Sequence, residues 1–123
     1  MAVYHLVPRD EYAVTDSSID YFPAAFDRDG FIHLTEGADE LAAVGDRYYR
    51  ADRRAYVALE IDLARVRAPV RYDDPRRVYP HVYGPLNRDA IVAVLAVPRL
   101  PNGTFLPVAH DARAGEPMPR PRE

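Results

Sequence analysis

At 123 residues, 48% of them hydrophobic and 28% charged, the chain is long enough to bury one core and too apolar to be a disordered tract. A formal net charge of -3 argues against binding nucleic acid by bulk electrostatics, which needs a basic face. The sequence has no cysteine, and all 16 basic residues are arginine. Disulfides, thiol nucleophiles, cysteine-held zinc and lysine Schiff bases are therefore excluded.

The N-terminus, Met1-Ala2-Val3-Tyr4-His5, lacks the basic and then apolar pattern of a signal peptide. No apolar run approaches the roughly 20 residues of a membrane helix. A cytoplasmic protein without membrane contact is expected.

Taken in order, Ala2 to Val7 reads as a first strand ended by Pro8, and Pro8-Arg9-Asp10-Glu11 suits the first turn of a short helix. Thr15 to Asp20 is polar loop. Tyr21 to Phe26, interrupted by Pro23, reads as a turn or distorted edge strand. The stretch Asp29-Gly30-Phe31-Ile32-His33-Leu34-Thr35 then delivers a short apolar strand from an Asp-Gly turn, and the chain is organised around it.

Thr35 is placed as the N-cap of a helix from about Glu36 to Tyr49, with Leu41, Val44 and Tyr48 on one face. Ala55 to Ile61 is a strand, and Asp62 caps the single turn Leu63 to Val66. Val70 to Tyr72 is a short strand. Val78 to Leu86 carries two prolines and a glycine, which suit an ordered loop or broken strand. Ala90 to Val97 is almost continuously apolar, the pattern of a central strand buried on both faces. Pro101-Asn102-Gly103 turns the chain into a last strand, Thr104 to Val108. One α+β domain is expected over residues 1–110, with about six strands outweighing one clear helix. A disordered tail is expected over 111–123.

Histidine is the natural residue for proton transfer near neutral pH, and His5, His33 and His81 each lie in an apolar strand or a proline-rich corner. Such a ring either has a buried hydrogen-bond partner or projects into a cleft. His110 borders the tail and receives no role. The three histidines are far apart in sequence, and no metal is expected, although a metal-dependent enzyme using them is an alternative. There is no Gly-x-Ser-x-Gly elbow, and the glycines do not form a nucleotide-binding loop. Asp27, Asp29, Asp73 and Asp74 read as turn chemistry. Tyr79-Pro80-His81-Val82-Tyr83-Gly84-Pro85-Leu86 reads equally as a rigid wall for a ring-bearing ligand or as a corner packed on the core.

Val3-Tyr4-His5, Asp29 to Thr35, Val57-Ala58-Leu59-Glu60-Ile61-Asp62 and Tyr79 to Leu86 together resemble domain-of-unknown-function family 952. That family has no established activity. It resembles in fold the ADP-ribosyltransferase superfamily, especially the RNA 2′-phosphotransferase branch, with split antiparallel sheets meeting at a cleft that takes NAD. The resemblance implies that His5 bonds a ribose hydroxyl, that Thr35 and Tyr83 help hold the cofactor, and that His33 and His81 carry catalysis. NAD would be a substrate, cleaved through an oxocarbenium-like state by positioning and electrostatics. The late Glu-x-Glu pair of the arginine-modifying members is missing. An RNA acceptor is not expected from the overall charge, though Arg53, Arg54, Arg71, Arg76 and Arg77 offer a local basic group. A non-catalytic nucleotide-binding module is the alternative of another class.

Overall fold

The computed structural model describes residues 1–109; His110 and the expected tail lie outside the described residues. In chain order the elements are β1 (Val3–Pro8), α1 (Arg9–Ala13), α2 (Phe26–Asp29), β2 (Ile32–His33), β3 (Thr35–Glu36), α3 (Ala38–Tyr48), β4 (Tyr56–Ile61), β5 (Val70–Tyr72), β6 (Pro80–Val82) and β7 (Ile91–Ala96). They form an α+β fold of two antiparallel sheets. One has the order β3-β1-β4-β7 and the other β2-β6-β5.

Period-two alternation divides the core. Val3 and Val7 of β1, with Val57, Leu59 and Ile61 of β4, point to one face. There they meet Ile32, Leu34, Val82, Leu86 and Tyr21, so the smaller sheet is packed on the larger. Tyr4, Ala58, Ala93 and Leu95 point to the opposite face, which Leu41 of α3 and Val108 cover.

The two sheets are joined through residues 32–36. Ile32 and His33 pair with Val82 and His81, and two residues later Thr35 and Glu36 pair with Tyr4 and Val3. Leu34, fully buried between them, donates its N–H to the Pro80 carbonyl at 3.0 Å. The Asp29–Thr35 stretch is thus the crossing strand of the fold. Gly30, at φ 78°, supplies the left-handed residue that ends α2 and aims the chain into it.

Several sequence expectations need correction. Thr35 is no helix cap: it lies in β3, and α3 begins at Ala38 with Gly37 (φ 90°) as its N-cap. Demand for pairing along β1 outcompetes helix initiation there. The segment 21–26 is a turn with a single bridge from Tyr21 to Leu86, as expected, and the short helix α2 begins only at its last residue, Phe26. β7 is an edge strand, with Val92 45% exposed, and not a central one. Its run is apolar because Ile91 and Val94 pack into one core and Ala93 and Leu95 into the other. Thr104–Val108 forms no strand, only the bridge Arg99–Phe105. The Asp62 cap is as expected, its side chain accepting from the Ala64 N–H. β6 falls within the broken-strand segment.

Gly45 sits where α3 passes the Phe105 ring, and a Cβ there would lie well inside van der Waals contact. The ring is held in place edge-on by Tyr56 and by the Arg99 guanidinium 4.1 Å from its centre. Gly45→Ala gains up to about 1 kcal/mol of helix propensity but overpacks a fixed ring, a cost of about 1–3 kcal/mol. Urea denaturation is expected to show net destabilisation at unchanged m-value.

Candidate functional site

β1 and the crossing strand pair only at Val3–Glu36 and Tyr4–Thr35 and then part. The wedge between them is a cleft of about 670 Å³. His5 to Pro8 line one wall; Phe31, His33, Arg28 and Asp29 line the other; Tyr48, Tyr49, Asp52, Arg54 and Tyr56 close the far end. Pro23 to Ala25 form a rim.

The hydrogen-bond phase of β1 fixes what its edge offers. Arg9 donates to Ala55, which puts the odd residues of β1 in bonding phase with β4. Gly37 donates to Ala2, which puts the even residues in phase with β3. Leu6 follows the even phase beyond the last paired residue. Its N–H and C=O therefore face the cleft as an adjacent donor and acceptor.

His5 stands where the strands separate. Its Nδ1 donates to the His33 carbonyl at 2.8 Å, and its Nε2 accepts from the Tyr21 hydroxyl at 3.0 Å. Leu34 and Pro80 are in bonding phase, so the intervening His33–His81 pair is of the non-hydrogen-bonded kind. The His33 carbonyl consequently points away from β6, toward β1, where the His5 ring meets it. Burial holds the His5 imidazole at about 4, well below its ordinary 6.5; the carbonyl bond opposes that shift without cancelling it. His5 is a neutral imidazole with both nitrogens engaged, which leaves none for the ribose hydroxyl that the family resemblance implied. Burial likewise raises Tyr21, which stays a phenol and a donor.

The same non-bonded pairing brings the His33 and His81 rings to 5.4 Å between centres on the outer face of the small sheet. Phe31 stacks on His81 at 4.0 Å and 18°, and lies 4.6 Å from His33 and 5.3 Å from Tyr83. Each histidine is held by a carboxylate: His33 Nε2 by Asp29 and His81 Nδ1 by Asp73, both at 2.9 Å. The Tyr83 hydroxyl also donates to Asp73, and the Arg71 guanidinium covers the Tyr83 ring at 4.6 Å. Arg28 and then His33 hold the Asp29 carboxyl down to about 2; Tyr83 and then His81 lower that of Asp73.

Of the residues singled out from sequence, His5 and His33 line the cleft, while His81 and Tyr83 form a wall beside it. Thr35 is buried in β3, in the paired part of the strands. Asp29 and Asp73, expected as turn residues, instead hold His33 and His81, and the four-residue step from Asp29 to His33 across Gly30 is the sequence signal for the first pair. Tyr48, Tyr49 and Arg54 reach the cleft through packing at the end of α3, which no local motif announces. Arg54 is tied to Asp52 and Glu11, and Arg76 to Glu40. The local basic group is therefore largely neutralised. Among the described residues no group of three histidine or acidic side chains is placed to hold a metal ion, and no helix is long and apolar enough to cross a membrane.

The family described as "Protein of unknown function (DUF952)" matches residues 6–94, and the chain belongs to it. No curated protein matches. Among solved structures the fold is similar to protein CC0527 from Caulobacter crescentus and to a double-methionine variant of it. For each the TM-score is 0.71 at 17% identity, over 86% of this chain and 94% of that one. At that identity the likeness is one of fold.

The state of His5 makes stability depend on pH. Below about 6.5 the unfolded chain takes up a proton that the folded protein refuses, so stability falls from pH 6.5 toward 4. One such group contributes roughly 3 kcal/mol over that window. Urea titrations across it are expected to show a steeper loss for the natural protein than for His5→Gln. Equal slopes would mean that the ring is not held neutral.

Proposed function

We propose that this DUF952 protein binds a dinucleotide of the NAD type in the wedge between β1 and β2, as an ADP-ribosyltransferase-like transferase or NAD-cleaving protein. What carries the reading is the Leu6 N–H and C=O, which the phase of β1 turns toward the cleft beyond the last residue paired with β3. A primary carboxamide presents the complementary acceptor and donor at the same spacing, and nicotinamide carries one.

The rest of the cleft supports the same ligand. Its volume of about 670 Å³ lies within the roughly 300–1,000 Å³ usual for small-molecule sites. Tyr48 and Tyr49 supply aromatic rings, and Arg28 and Arg54 both line it with guanidinium groups for a diphosphate. Those arginines are paired with Asp29, Asp52 and Glu11, so phosphate must compete for them.

The roles carried by family resemblance change accordingly. His5 orders the wall and carries no ligand bond of its own, and Thr35 stands behind that wall. His81 and Tyr83 shape the flank beyond Phe31, which leaves His33 as the imidazole on the cleft. A binding module without turnover is the second reading. It is favoured by the commitment of both His5 nitrogens and by the missing glutamate pair.

A ligand that binds only the folded state at 100 times its Kd adds about 2.7 kcal/mol of stability. NAD is therefore expected to raise the melting temperature by several degrees. Nicotinic acid adenine dinucleotide is expected to be at least tenfold weaker, since its carboxylate cannot donate to the Leu6 carbonyl. Calorimetric titration with the two dinucleotides checks this. Equal affinities would remove the carboxamide contact, and no binding of either would remove the reading.

A further inference from the structure

Three imidazoles approach this cleft, and their hydrogen bonds give them different capacities. His5 has no free nitrogen. His81 has one, but its face is covered by Phe31 and it does not line the cleft. His33 lines the cleft with a side chain 58% exposed, and one of its nitrogens is held by Asp29.

The geometry fixes the tautomer of His33. Asp29 accepts from Arg28 Nε at 2.9 Å through one oxygen and contacts His33 Nε2 at 2.9 Å through the other. An ionised carboxylate only accepts, so Nε2 carries the proton and Nδ1 presents a lone pair. The pairing is built into the backbone: Asp29 ends α2, Gly30 turns the chain in a left-handed conformation, and His33 follows on β2. Phe31, 4.6 Å away, limits rotation of the ring on one side.

From this arrangement we infer that the Asp29–His33 pair is the proton acceptor of the cleft, serving an acceptor that bears a hydroxyl group, water included. The inference rests on the dinucleotide reading above. As the hydroxyl oxygen bonds to C1′ of the nicotinamide ribose, the glycosidic C–N bond breaks and its electron pair returns to the ring. Nicotinamide leaves neutral, and His33 Nδ1 takes the hydroxyl proton. Asp29 is a positioning residue: it keeps the proton on Nε2 and stabilises the imidazolium that forms. The charged or titratable groups facing His33 are Asp29 and Arg28 from α2, His81 from β6 and His5 from β1.

The test has two arms, both on the full chain. Nitrogen-15 NMR of the free protein is expected to place the His33 proton on Nε2, and Asp29→Asn is expected to shift it toward Nδ1. A proton on Nδ1 in the natural protein overturns the inference whatever the cleft binds. In the second arm, NAD affinity is measured by calorimetry and nicotinamide release by chromatography for the natural protein, His33→Gln and Asp29→Asn. Retained affinity with kcat lowered about 10²–10³-fold is expected. Asp29→Glu should recover part of the Asp29→Asn loss. Binding with no turnover, or with turnover equal in all variants, overturns the proton-acceptor role and leaves the dinucleotide reading standing. Failure of the natural protein to bind NAD overturns that reading.

Discussion

The bond from the His5 ring to the His33 carbonyl is the constraint on which the cleft depends. In a continuous sheet that carbonyl would accept from the backbone N–H of Leu6, and β1 and β2 would zip together. A side-chain donor reaches farther than a backbone one, so the strands remain tied while standing apart. The gap so created is the cleft, and the backbone groups released by the substitution are those of Leu6. One buried imidazole thereby joins the sheets and keeps them from closing. The buried ring does so in its neutral form, in which Tyr21 donates to its second nitrogen.

Both rims of the gap are held by arginine. Arg88 donates to the Ile19 and Asp16 carbonyls at 2.7 and 2.8 Å while lying over the Tyr12 and Tyr21 rings, which fixes the loop leading to Pro23. Arg99 donates to the carbonyls of Arg50, Arg54 and Gly103, pinning the turn that carries Tyr49, Asp52 and Arg54. A guanidinium can satisfy several carbonyls in one plane and stack on an aromatic ring at once, which an ammonium group cannot. In a chain without lysine, these two residues secure irregular backbone that has no ladder of its own. They leave the cleft largely preformed, which lowers the ordering cost of binding.

The central stretch was legible because its signals agree. Asp-Gly specifies a turn, Phe-Ile-His-Leu-Thr has strand composition, and the structure uses it as the crossing strand. The boundary at Thr35 was misread because a threonine followed by acidic residues satisfies the local rule for a helix cap. Only the distant Tyr4, waiting for a partner on β1, decides otherwise. The edge position of β7 was hidden for a related reason: an apolar run reports that both faces are covered, not how many neighbours the strand has. The division of labour among the histidines was beyond any sequence pattern. It depends on which ring meets a carbonyl, which a carboxylate and which a phenyl face, contacts made between residues far apart in the chain.

That division has a chemical logic of its own. An imidazole sealed between Tyr21 and a carbonyl is lost to acid–base chemistry, yet its sealing sets where β2 runs and so where His33 emerges. His33 then acquires its carboxylate locally, from the helix end four residues earlier. The long-range bond places the strand and the short-range bond orients the ring. A substitution at His5 and one at Asp29 therefore damage different properties, the first the distance between the walls and the second the protonation pattern on one of them. Fold-level likeness to a protein 17% identical says nothing of either. The separation of the two effects rests on this chain's own hydrogen bonds, which is why stability against pH and tautomer state are independent readouts of the same small region.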